Sequence, residues 1–230
     1  MAIKRVSGEE RRTLTEESKS DFVISYLELR RTIGILGMSM PFIVAGGAWL
    51  FFSTGLQISL SAYYNTPMRD LAEGLMFVIS GFLWSYRGYD RRDQIAGKLA
   101  SIFGWLSAIF PLPPKPAQLG FPGILHNLLA GVFFVILIYF SGFLFTKSHV
   151  GQTPTPQKVH RNRIYRFCAV MMGAALVIGL SLHYLPAFTP FRPLFWGETL
   201  ATEAFGIAWF VKGEGILKDE ETAGYDNGKP

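Results

Sequence analysis

Apolar positions gather along this chain into six runs, each ended by proline, glycine or charge: 33–55, 69–86, 95–110, 124–146, 164–185 and 194–211. A helix rises 1.5 Å per residue, so about 20 apolar residues cross a hydrocarbon core of ~30 Å, with about 17 as the short limit. The first, fourth and fifth runs meet that length. The second and sixth lie near the limit, and the third is short and carries Lys98, close enough to its end to snorkel into the interface. The pattern predicts an all-α fold: a polytopic membrane bundle of about six transmembrane helices over 33–212. A polar N-terminal segment (1–32) precedes it, and a tail (213–230) that reads as disordered from about Asp219 follows.

Charge then sets an expected orientation. Eighteen of the 22 Lys and Arg fall in the N-terminal segment, after the second run, from Lys147 to Arg166 around the start of the fifth run, and from Lys212 onward. The alternate connections hold only Arg69, Lys115 and Arg192. By the positive-inside rule both termini are expected in the cytoplasm. The first thirty residues carry no apolar core behind their basic start, so no cleavable signal peptide is expected, and a bacterial inner membrane is the expected location. Half of the residues are hydrophobic and only 17% charged, with a mean hydropathy of +0.27, too apolar for an ordinary soluble domain. The net charge of +5 is mild and gives no nucleic-acid signal; membrane lipid is the expected partner, and a homo-oligomer stays open. Cys168 is the single cysteine, which excludes an intrachain disulfide.

Within the runs, Pro41, Gly46 and Gly47 predict a kink or a close helix contact. The proline-rich stretch 111–122 reads as an ordered cap without regular structure, and 152–157 as a linker. Thr66 or Asn65 is the expected N-cap of the second helix, with Pro67 in its first turn.

The acids point to a site. An ionisable group within a bilayer-length segment costs roughly 2.5–3.5 kcal/mol on insertion scales and normally faces the protein interior with a partner. Glu203 sits in the middle of the last run, with Glu198 five residues earlier, and Asp70 and Glu73 open the second run three apart. With the expected topology, Asp70, Glu73, His126, His183 and Glu198 all belong to the outer half of the bundle. Imidazole and carboxylate ligands suit zinc, and three protein ligands leave a position for an activated water. His126, His183 and Asp70 are the candidate metal ligands, and Asp70, Glu198 and Glu203 the candidate catalytic acids. Each also has a plain structural reading: Asp70 and Glu73 as helix-start acids, the histidines as interface residues, Glu198 paired with Arg69 or Arg192, and Glu203 bonded to a neighbouring helix. No phosphate-cradling glycine loop, serine-protease motif or nucleotide fingerprint is present.

The stretch Ser61-Ala-Tyr-Tyr-Asn-Thr-Pro-Met-Arg-Asp70, with Tyr86-Arg-Gly-Tyr-Asp90 and Leu125-His-Asn127, resembles a group of uncharacterised bacterial polytopic membrane proteins. The layout is more remotely similar to the superfamily of alkaline ceramidases and progestin-type receptors. That resemblance implies a zinc site in which Ser61, Asp70, His126 and His183 take the comparable roles. The chain departs from it by lacking a His-x-x-x-His pair in a late helix, where it has Glu198 and Glu203, and by having one helix fewer.

Three functions follow as expectations. The first is a metal-dependent hydrolase of a lipid amide or ester, with zinc as the candidate cofactor. The second is a small-solute or proton-coupled transporter titrating at Glu203, with Pro41, Gly46 and Gly47 as the flexing element. The third is a non-catalytic structural or sensory protein whose acids pair helices.

Overall fold

The computed structural model describes the backbone of residues 8–88, 90–114, 120–148 and 155–217, and side chains within those limits from residue 26 onward. Six helices fall on the six apolar runs in order: α1 (Gly8–Phe52), α2 (Arg69–Ser85), α3 (Arg91–Ile109), α4 (Phe121–Tyr139), α5 (Pro156–His183) and α6 (Pro193–Lys212). No strand occurs among the described residues. Three stretches, Tyr26–Phe52, Phe121–Leu144 and Pro156–His183, are long and apolar enough to cross a membrane. The last of α4 widens into a π turn over Phe140–Leu144, where the Phe145 N–H bonds the Phe140 carbonyl at 2.9 Å. Helix α1 runs unbroken past Pro41, and the boundary expected at residue 32 lies inside it. Of the expected cap at 111–122, residues 111–114 are irregular and Phe121 already begins α4, while 115–119 lie outside the described residues. So do residues 152–154 of the expected linker, whose last two residues, Pro156 and Gln157, open α5. The tail beyond 217 lies outside them as well.

Each helix packs on its neighbours in sequence, and α6 closes back onto α1. Lipid tails are as apolar as leucine, so helices in a bilayer associate through close contact rather than release of water. Glycine supplies that contact on two faces of α6. A Cβ at Gly34 would stand 2.5 Å from the Phe210 nitrogen and 2.7 Å from the Gly206 carbonyl oxygen, so α1 lies backbone to backbone on α6. A Cβ at Gly197 would stand 2.6 Å from the Ala175 carbonyl, which brings α5 equally near. The backbone contact of α1 thus falls at Gly34; of the two expected glycines, Gly46 has open space around it, while a Cβ at Gly47 would stand 2.6 Å from the Met68 side chain. Helix α6 becomes the buried spine of the bundle, and any polar side chain on it is held in place.

The two ends differ chemically. At one end an aromatic knot forms, with Trp209 edge-on to Tyr86 at 4.9 Å and to Phe145 at 5.0 Å. Basic side chains close around it. Lys158 Nζ donates to the Phe145 carbonyl at 2.8 Å, Lys212 Nζ lies 5.4 Å from the Phe145 ring centroid, and Arg31 Nε donates to the Gly213 carbonyl at 2.7 Å.

At this end Asp90 caps α3, accepting from the N–H groups of Arg92 (2.8 Å) and Asp93 (3.1 Å), while Asp93 reaches back to the Asp90 N–H. Lys147 bonds both carboxylates, at 2.9 and 3.2 Å. Its hydrogen bond, followed by the backbone donors, holds the Asp90 carboxyl below the ordinary value of 3.8. A carboxyl whose folded pKa is depressed stabilises the fold above its unfolded value and loses that contribution as pH falls through the folded one. Thermal stability is therefore expected to show no Asp90-dependent slope near neutral pH. The gap between wild type and Asp90→Asn should close as the pH is taken below the ordinary carboxyl value of 3.8. Melting curves of both proteins between pH 2.5 and 7, bounds of about that range, check this; a gap unchanged at the acid end would count against the ion pair.

Candidate functional site

The opposite end is built around the prolines that terminate α3. Residues 111, 113 and 114 are proline. The carbonyls of Ser107 and Phe110 would ordinarily accept from the N–H groups of residues 111 and 114, and proline has none. His126, one turn into α4, takes their place: its Nδ1 lies 2.7 Å from the Ser107 oxygen and 2.9 Å from that of Phe110. Two carbonyl acceptors at one ring nitrogen require that nitrogen to carry the proton. In the neutral ring Nε2 is then the bare acceptor. His126 is only 6% exposed, and its Nε2 has no hydrogen-bond partner among the described residues.

Glu198 is positioned by an analogous deficit. The chain between α1 and α2 folds into a 3-10 turn at Ser61–Asn65, whose first N–H groups point out of the turn unpaired. Ser59 Oγ accepts from the Ala62 N–H at 3.0 Å. Glu198 Oε2 accepts the other two, from Leu60 at 2.6 Å and Ser61 at 3.2 Å. All three donors are accounted for. A carboxylate on the buried spine thus pins the loop across the mouth of the bundle. Thr66 shapes the exit of this turn, donating to the Tyr63 carbonyl (2.7 Å) and accepting from the Met68 N–H (3.2 Å), although α2 itself starts at Arg69.

Beneath the loop lies a cavity of about 70 Å³, bounded by Ser61, Glu73, Ser107, His126, Glu198 and Thr202, with methionine, phenylalanine and other apolar walls from α1, α2, α4 and α6. Of the sequence-derived candidates, it brings together Glu73, His126 and Glu198. Asp70 does not join them: its side chain is 86% exposed and pairs with Arg69 at 2.9 Å. Three residues apart, the two acids lie only about 60° apart around α2, yet Asp70 in the first turn is turned to solvent by Arg69 while Glu73, one turn deeper, lines the cavity. His183 lies at the end of α5 against the Tyr184 ring, at 5.4 Å, and does not line the cavity. Glu203 does not line it either. It follows Thr202 on the next face of α6, where Glu203 Oε1 and Thr199 Oγ1 are buried without partners among the described residues. The cavity residues that sequence reading missed are Ser107 and Thr202. The second was within reach, since 198, 202 and 205 repeat at helical spacing on one face.

The zinc arrangement implied by the resemblance would gather Ser61, Asp70, His126 and His183 around one ion. Ser61 and His126 share the cavity, and the other two stand outside it. Among the described residues no group of three His, Cys, Asp or Glu side chains is placed to hold one metal ion. That donor set does not fit a single ion. Comparison with family models, with curated proteins and with solved structures returns no match, so the reading of this site rests on its own geometry.

Proposed function

We propose that the chain is a six-span integral membrane protein with both termini in the cytoplasm, and that it hydrolyses a lipid amide or ester in the outer half of the bilayer. The topology is supported by the six mutually packed helices and by the gathering of Arg30, Arg31, Lys147, Lys158, Arg161 and Lys212 at the end away from the cavity. A C-terminal green fluorescent protein fusion is expected to fluoresce and a C-terminal alkaline phosphatase fusion to be inactive. The reverse pattern would overturn the orientation.

The observation that carries the reaction is the bare, buried Nε2 of His126, fixed in tautomer by two carbonyls, on a residue that lines a cavity of apolar walls. In this reading a water gives its proton to Nε2 while its oxygen bonds the substrate carbonyl carbon. The oxyanion that forms accepts from the Ser61 hydroxyl, which makes no other hydrogen bond among the described residues. The bond from carbon to nitrogen or oxygen then breaks as His126 returns the proton to the leaving atom. Fluorogenic single-chain esters and amides, presented to the purified protein in proteoliposomes, test the proposal. Saturable turnover is expected in the wild type, and Ser61→Ala should lower kcat roughly 10²–10³-fold, the usual cost of one oxyanion donor. Turnover no greater than in empty liposomes across both substrate classes would discard it.

A further inference from the structure

The cavity has an unusual balance of hydrogen-bonding groups. Thr202 Oγ1 donates to the Glu198 carbonyl at 2.8 Å and Ser107 Oγ to the Gly104 carbonyl at 2.9 Å, so both hydroxyls have committed their protons to backbone. What each presents to the cavity is lone pairs. Glu198 has given one oxygen to the loop and keeps the other, Glu73 brings a whole carboxyl, and His126 brings a bare nitrogen. No Lys, Arg, Asn, Gln or Trp lines the space. With Glu73 and Glu198 ionised, every polar side chain of the lining other than the Ser61 hydroxyl accepts.

An acceptor-rich site holding two carboxyls and no cation selects its ligand by chemistry. A phosphate or carboxylate head would bring more acceptors and more negative charge into apolar surroundings, where unpaired charge is costly. An ammonium brings three donors and the missing positive charge. The volume, about 70 Å³, suits a head group with its first few methylenes. Pockets that engulf a drug-sized molecule run to about 300–1,000 Å³. The tail must therefore lie along the methionine and phenylalanine walls and out into lipid.

We propose that this cavity binds the protonated amine of a single-chain amphiphile, with the Glu73 and Glu198 carboxylates as its acceptors and His126 Nε2 left to the attacking water. The inference rests on reading this cavity as the substrate site, and it assigns the substrate class: a lipid amide or ester bearing an ammonium group near the bond to be cut.

The test uses the full chain in phosphatidylcholine nanodiscs and four radiolabelled probes with one tail: dodecylammonium, dodecyl phosphate, dodecanoate and dodecanol. Equilibrium dialysis against empty nanodiscs measures the saturable excess. Dodecylammonium is expected to saturate at about one per chain with at least a tenfold preference over each of the others. Glu73→Gln and Glu198→Gln together should reduce it to the level of dodecanol. No saturable excess, or equal binding of the phosphate or carboxylate, would overturn the proposal on the wild type alone, whatever the variants do. Saturable ammonium binding without turnover of any ester or amide keeps this inference and removes hydrolysis. Turnover indifferent to the charge of the head does the reverse.

Discussion

His126→Asn is expected to lower turnover by orders of magnitude while leaving the fold as stable as wild type, and His126→Ala to lower both turnover and stability. The asparagine amide nitrogen falls near the position of Nδ1 and can donate to the Ser107 and Phe110 carbonyls, 2.7 and 2.9 Å from the native nitrogen. What it lacks is a basic atom where Nε2 stood. Removing a general base costs about 10²–10⁴ in rate, or roughly 3–5 kcal/mol of transition-state stabilisation. His126→Ala leaves the two carbonyls without a donor in a buried place, at about 1–3 kcal/mol for an unsatisfied group. The measurement is kcat in proteoliposomes beside a thermal melt in detergent. An asparagine variant that melts like wild type and turns over like wild type would leave His126 as a helix cap and nothing more.

That double role explains which parts of the site could be read from the sequence. The six apolar runs and their flanking charges are local features, and the helices fall on them. The helical stretch 8–25 was not legible, because a polar helix there shows no apolar periodicity and looks like a tail. His126 and Glu198 were visible as residue types at one expected depth. Their partners were not. The carbonyls that His126 caps, left over by Pro111 and Pro114, lie 19 and 16 positions before it. The loop that Glu198 pins lies 137 and 138 residues away. Those contacts are tertiary, and the sequence offered Arg69 or Arg192 instead. Glu203 stood out because it is the most deeply placed acid in the last run, yet helix geometry sets it 140° around α6 from Glu198, on a different face from the cavity. Prominence in a hydropathy profile reports depth, and only the helix period and the neighbouring elements report direction.

Glu198 separates loop anchoring from chemistry in the same way, and its two substitutions are expected to diverge. Glu198→Ala removes the acceptor of the Leu60 and Ser61 N–H groups, held at 2.6 and 3.2 Å. With two partly buried donors unpaired, the loss should reach roughly 2–4 kcal/mol, and the loop at 53–68 should become open to protease. Glu198→Gln keeps an oxygen that can accept from both donors, so its melt should stay within about 1 kcal/mol of wild type. Its new amide, however, points N–H donors into a cavity otherwise lined by acceptors, and it withdraws one of the two carboxyls facing an ammonium. Binding of dodecylammonium should then fall at least tenfold with the loop still closed. Limited proteolysis of the loop beside the binding measurement distinguishes the two effects. If the glutamine variant opened the loop as alanine does, the clamp would depend on the charge of Glu198 and not merely on its oxygen. If it bound the ammonium as wild type does, Glu198 would belong to the loop alone, and Glu73 would be the carboxylate that holds the amine.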